Sequence, residues 1–158
     1  MEKTHRYQTG IWVWFFPLTY LIHIAEEYWA GQGFPAWLSN VAGINLTHAR
    51  FLELNTIALI FMTVSIAVAK RTSAAGWLVT SIAAVVSINA LAHLVGSVVT
   101  RSYSPGLVSG VLLWFPLGIF ALNWAWKVAP RRTFAIGVLI GIFLHAIVSI
   151  LALTGGGT

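Results

Sequence analysis

Cysteine is absent from the 158 residues, which excludes disulfides and thiolate metal ligands. Aspartate is absent as well, and Glu2, Glu26, Glu27 and Glu53 are the only acids. Charged residues of both signs make up 8% of the chain, against roughly 25% in a soluble domain. With 58% hydrophobic residues, the chain is expected to be an integral membrane protein. The net charge of +5 does not point to nucleic acid, because the basic residues lie between apolar runs, where they set membrane orientation. Low-complexity linkers and a convincing internal repeat are also missing.

What is present is a series of five apolar runs, over about 11–30, 48–69, 75–100, 105–128 and 133–153. Each is long enough to cross a bilayer as a helix. The expected fold is therefore all-α, a polytopic bundle of five transmembrane helices in a single domain over 1–158. The first run is read as a retained span and not a signal peptide, because it carries three ionisable residues and no small-residue cleavage site. Residues 31–47 hold Gly31, Gly33 and Pro35 and are too short and broken to span, so they read as an interfacial loop. A cytoplasmic N-terminus places Lys3, Arg6, Lys70, Arg71, Lys127, Arg131 and Arg132 inside and only Arg50 and Arg101 outside. That asymmetry predicts an outside C-terminus, with the Gly155–Thr158 end frayed. Ser104 is placed to cap the fourth span, Pro105 to open it, and Pro116 to kink it.

The pattern that needs explaining is His23-Ile-Ala-Glu26-Glu27. Positions i, i+3 and i+4 share a helix face, so the three side chains project together. A charge in mid-membrane costs about 2.5–3.5 kcal/mol on insertion scales, so the cluster must be neutralised or used. Counting about 1.5 Å per residue places His23 roughly 18 Å from the inner end of span one. Glu53 in span two, His93 in span three and His145 in span five fall at a similar height. Asn89, His93 and Ser97 form a stripe at spacing four, as do Gly137, Gly141, His145 and Ser149. A polar chamber lined by His23, Glu26, Glu27, Glu53, Asn89, His93 and His145 is the expectation. The Gly137/Gly141 face suits close packing, within the chain or in a homodimer.

His23-x-x-Glu26-Glu27, Asn89-x-x-x-His93 and Tyr103-Ser-Pro-Gly106, in that order, resemble the HXXEE-motif family of small bacterial integral membrane proteins. The resemblance implies a polytopic protein of suspected enzymatic activity in a bacterial inner membrane. It supports His23, Glu26, Glu27, Asn89 and His93 as site residues and names no substrate.

The residues admit three chemistries. Imidazole and carboxylate ligands suit a divalent transition metal such as zinc or iron, with His23, Glu26, Glu27, Glu53, His93 and His145 as candidate ligands. In that reading Glu26 or Glu27 serves as acid or base, Asn89 donates a hydrogen bond, and a lipid-like or other hydrophobic small substrate is oxidised or hydrolysed. Alternatively, a buried carboxyl acts without metal as general acid in an isomerase or cyclase on a sterol- or isoprenoid-like substrate. Trp12, Trp14, Phe15, Phe16 and Trp114 are then available to stabilise a developing cation. The third reading is transport of a metal ion or proton. Tyr103-Ser-Pro-Gly106 itself reads first as a turn that starts a helix.

Overall fold

The structure is a computed structural model that describes residues 9–72 and 74–154. Lys3, Arg6 and the Gly155–Thr158 end lie outside the described residues. All regular structure among the described residues is helical. A short 3-10 turn, Ile11–Trp14, leads into α1 (Phe15–Trp29), followed by α2 (Phe34–Ala42), α3 (His48–Arg71) and α4 (Ala75–Thr100). The chain closes with α5 (Leu107–Val128) and α6 (Arg131–Thr154). Four of these, α3 to α6, are long and apolar enough to cross a membrane. The uninterrupted α-helix of α1 has 15 residues and falls below that length.

The breaks follow local chemistry. Residues 31–47, expected as a loop, contain α2, which opens with Pro35 in its first turn and stops at Gly43 with φ +68°. Thr47 caps α3 by accepting from the Arg50 N–H at 3.2 Å. At the end of α4, Arg101 turns left-handed and the Ser102 N–H reaches back to the Ser97 carbonyl at 3.2 Å. In α5 the wide π turn Gly110–Trp114 comes just before Pro116. Proline has no N–H to donate and its ring crowds the carbonyl four residues back, so the widened turn absorbs the misfit.

The central helix is α4, buried mainly between Ala75 and Ala90 and again at His93. Its Ala and Ser residues let neighbours approach closely. A Cβ on Gly137 would lie 2.6 Å from Thr80 Cβ and 2.9 Å from the Trp77 carbonyl. One on Gly141 would lie 2.6 Å from both Ala84 Cβ and the Ser81 carbonyl. The matched order of these contacts shows that α4 and α6 run parallel. It also shows that the Gly137/Gly141 face is occupied by α4 of the same chain. Val13, Phe16, Tyr20, Met62, Ile66, Val79, Val86 and Trp114 fill the core between α1, α3, α4 and α5. A smaller cluster of Trp37, Leu38, Leu46 and Phe51 packs α2 against the start of α3. Large apolar side chains such as Leu139, Phe143, Val98 and Val99 point outward, the arrangement of a bundle solvated by lipid.

Candidate metal centre

The polar centre lies where α1 ends, α4 nears its end, and the Arg101–Gly106 turn leads into α5. His23, Glu27 and His93 are 1%, 6% and 4% exposed. His23 and Glu27 share one face of α1 a turn apart, while His93 faces them from α4. His93 Nε2 lies 3.2 Å and His23 Nε2 3.7 Å from Glu27 Oε1. One ligand atom from each of the three residues falls within 4.8 Å of the other two.

Each imidazole divides its nitrogens in the same way. His23 Nδ1 lies 2.8 Å from Ser109 Oγ, and His93 Nδ1 lies 2.9 Å from Ser104 Oγ. The Asn89 side-chain nitrogen lies 3.0 Å from His23 Nε2. An amide nitrogen only donates, so His23 Nε2 accepts from it, and the ring hydrogen sits on Nδ1 and is donated to Ser109 Oγ. The three inward atoms are all electron-rich unless a proton or a metal ion lies among them.

Gly106 explains how the turn comes so close. Its φ of +100° belongs to the region that favours glycine. A Cβ there would stand 2.7 Å from His93 Cε1, 2.9 Å from His93 Nε2 and 3.0 Å from Glu27 Cγ. Trp114 lies against His23 with ring centroids 3.8 Å apart, and also stacks on Tyr20 at 5.3 Å. Its indole Nε1 is buried without a hydrogen-bond partner among the described residues. Phe34 of α2 meets the His93 ring edge at 5.4 Å, and Trp37 ties α2 to the turn by donating to Ser102 Oγ at 2.9 Å.

The remaining sequence candidates have different places. Glu26 is half-buried and does not join the three inward ligands. Its carboxylate accepts from the Val108 N–H at 2.8 Å, the Ser109 N–H at 2.6 Å and the Tyr103 hydroxyl. The two N–H groups are unpaired donors of the first turn of α5, where a negative charge is stabilised. Tyr103 is 40% exposed, and its hydroxyl is held protonated above the ordinary tyrosine range by partial burial and by donation to Glu26. Glu53 stands apart, its side chain 55% exposed and paired with Arg50 at 2.9 Å. His145 is half-buried on α6, outside the three-ligand group and without a hydrogen-bond partner among the described residues.

Sequence reasoning missed Ser104 and Ser109 as partners of the histidines, Trp114 as a ring laid on His23, and Asn55, whose Oδ1 accepts from Tyr20 at 2.9 Å. A signal for Asn55 was present. Phe51, Asn55, Met62, Ile66 and Ala69 repeat at spacings of three, four and seven, and this stripe is the inward face of α3.

Two imidazoles and one carboxylate, buried among helices of membrane-spanning length, define the class: an integral membrane helical bundle with an internal His/Glu cluster able to hold a metal ion. The chain belongs to the family described as proteins of unknown function with an HXXEE motif, whose sequence profile matches residues 14–121. His23, Glu27, His93, both serines and Trp114 lie inside the matched segment, and His145 lies beyond it. No curated protein and no solved structure matches the chain.

Proposed function

We propose that the protein is an integral-membrane metalloenzyme. Its zinc or iron is held by His23 Nε2, Glu27 and His93 Nε2, and its substrate is a lipid-like or other apolar small molecule that is oxidised or hydrolysed. The observation that carries this reading is the division of each imidazole, with Nδ1 on a serine hydroxyl and Nε2 turned to the one fully buried carboxylate among the described residues. Histidine ligands to metals commonly spend their second ring nitrogen on such a partner, which fixes tautomer and orientation. Two His and one carboxylate form the donor set of catalytic zinc sites with an open position and of non-haem iron sites. A metal held there supplies a Lewis acid or a redox centre with free coordination positions.

The residues of the chain do the rest. Ser104 and Ser109 keep the two rings oriented, Gly106 leaves room beside Glu27, and Trp114 covers one face of His23. Asn89, half-buried, is the polar group beside His23 Nε2 and the nearest donor for a substrate oxygen. The lipid-facing surface of the bundle supports an apolar substrate that reaches the site from the bilayer.

Ile11–Trp29 serves in this reading as a fifth span. Lys70 Nζ donates to the Thr9 carbonyl at 3.4 Å and Trp12 meets Trp124 at 5.5 Å, so one end of the segment lies beside the ends of α3 and α5. Its other end meets Tyr103 and Val108. Nineteen residues at about 1.5 Å each give about 28 Å, close to the hydrocarbon thickness. In this cysteine-free chain, single cysteines at Ile11 and Asn40 are expected to react with impermeant reagents from opposite sides. Labelling of both from one side overturns the fifth span.

Metal analysis of detergent-purified protein is expected to find stoichiometric zinc or iron, lost in His93→Ala and in Glu27→Gln, with a reductant-sensitive colour if the metal is iron. Wild-type protein that takes up neither metal overturns the reading. The His93–Glu27 separation of 3.2 Å also suits a shared proton, so tight binding of cationic sterol-like amines by such metal-free protein assigns acid–base chemistry to the pair. Metal uptake into vesicles without turnover assigns transport.

A further inference from the structure

The motif contains two adjacent glutamates, and only Glu27 faces the imidazoles. Three donors of the segment Tyr103–Ser109 converge on Glu26: the Tyr103 hydroxyl, the Val108 N–H and the Ser109 N–H. That segment carries both serines that hold the histidines, together with Gly106. Ser109 is the direct link, because its N–H bonds to Glu26 Oε2 at 2.6 Å while its Oγ lies 2.8 Å from His23 Nδ1. Hydrogen bonds to an ionised acceptor are shorter and stronger than neutral ones, so this carboxylate is well suited to hold a turn. The contacts lie more than 75 residues apart in sequence, so no local propensity brings the turn to α1.

We propose that Glu26 is a positioning residue. Its carboxylate fastens the start of α5 and the preceding turn to α1, and through Ser109 it sets the His23 ring with hydrogen on Nδ1 and a lone pair on Nε2. Through Tyr103 it holds the same turn so that Ser104 meets His93. The motif thus divides its work: His23 and Glu27 face inward as a ligand pair one turn apart, and Glu26, rotated from them, secures the segment that orients both histidines. The effect on metal affinity rests on the metalloenzyme reading, whereas the effect on the histidine tautomer does not.

Two readouts on the full-length protein in detergent test this. Nitrogen NMR of histidine-labelled, metal-free protein is expected to report a single Nδ1–H tautomer for His23 in the wild type and a mixture in Glu26→Gln. Zinc affinity, measured by competition with a chromophoric chelator, is expected to fall about 10- to 100-fold in Glu26→Gln, the range for removal of a partner behind a ligand. The double variant Glu26→Gln/Ser109→Ala is expected to lose no more than the weaker-binding single variant, because both changes act through the placement of Ser109 against His23. Glu26→Asp keeps the charge but withdraws the carboxylate, and is expected to behave like Glu26→Gln.

Wild-type tautomer and wild-type affinity in both Glu26 variants overturn the proposal. So does complete loss of zinc in Glu26→Gln with an unchanged His23 tautomer, which makes Glu26 a ligand. If neither Glu26 variant folds and Tyr103→Phe leaves the tautomers of both His23 and His93 unchanged, Glu26 is a structural anchor alone and the proposal also fails. Wild-type protein that takes up no zinc overturns the metalloenzyme reading, and the NMR comparison still decides the role of Glu26.

Discussion

Gly106→Ala tests the packing of the centre with a single methyl group. The substitution acts twice, because the residue has φ +100° and its new Cβ would stand 2.7–3.0 Å from His93 and Glu27. Holding a non-glycine residue in a sparsely populated backbone region costs about 1–3 kcal/mol. Forcing an extra carbon into a packed interior costs about another 1–3 kcal/mol. The sum, about 2–6 kcal/mol, is a large part of the 5–15 kcal/mol or so that holds a domain folded. Gly43→Ala separates the two effects, since Gly43 has φ +68° but a methyl group added there would meet nothing within 4 Å among the described residues. That control should show the backbone cost alone. Thermal unfolding in detergent, at about 2–4 °C per kcal/mol, is expected to rank wild type above Gly43→Ala and Gly43→Ala above Gly106→Ala. Zinc affinity should separate them further, staying at the wild-type value in Gly43→Ala. In Gly106→Ala it should drop at least about tenfold, the equivalent of 1.4 kcal/mol lost from the bound state. Equal melting temperatures and equal zinc affinities for the two variants would refute the claim that the Gly106 turn packs against the ligands.

Glu53→Gln is expected to leave metal content unchanged, because Glu53 points outward and pairs with Arg50; metal analysis of the purified variant checks this. Gly141→Ala is expected to lower the melting temperature through about 1–3 kcal/mol of overpacking against α4, with zinc stoichiometry retained in whatever fraction stays folded. Acidification is expected to release metal before it unfolds the bundle, because protons compete for both Nε2 atoms and the Glu27 carboxylate; parallel titrations of bound zinc and of helical circular dichroism give the order.

The sequence pattern made the helical bundle legible because composition and run length suffice for it: four long runs emerge as α3 to α6 near their expected limits. The convergence of His23, Glu27 and His93 was legible as well, since spacing within a helix and distance from its end locate a side chain in two coordinates. The third coordinate, rotation toward or away from the core, was not. Glu53 and Asn55 differ by two positions, about 200° around a helix, and the buried stripe through Phe51 and Met62 decides which one enters. Glu26 and Glu27 differ by about 100°, and their roles separate only because the first turn of α5 arrives beside one of them. Ser104 was expected to cap the fourth span, whereas the helix starts at Leu107 after Gly106 without a side-chain cap. Neither Ser104 nor Ser109 was legible as a partner of an imidazole, a relation that exists only after the turn has folded onto α1.

Asn89 offers a further discrimination between a proton and a metal at the centre. With hydrogen on Nδ1, His23 Nε2 already receives the Asn89 amide at 3.0 Å. A shared proton between His93 and Glu27 leaves that bond in place. A metal that takes up all three ligands must instead draw on the Nε2 lone pair that Asn89 occupies. Breaking a hydrogen bond of this kind costs about 0.5–1.5 kcal/mol net, so Asn89 taxes metal binding by about two- to tenfold. Asn89→Ala is therefore expected to bind zinc about two- to tenfold more tightly than the wild type. His93→Ala, measured alongside in the same chelator competition, is expected to lose binding. Weaker zinc binding in Asn89→Ala would mean that the amide helps to hold the ion, and would place His23 in the other tautomer, with its Nδ1 as acceptor of the Ser109 hydroxyl and its Nε2 no longer available as a ligand.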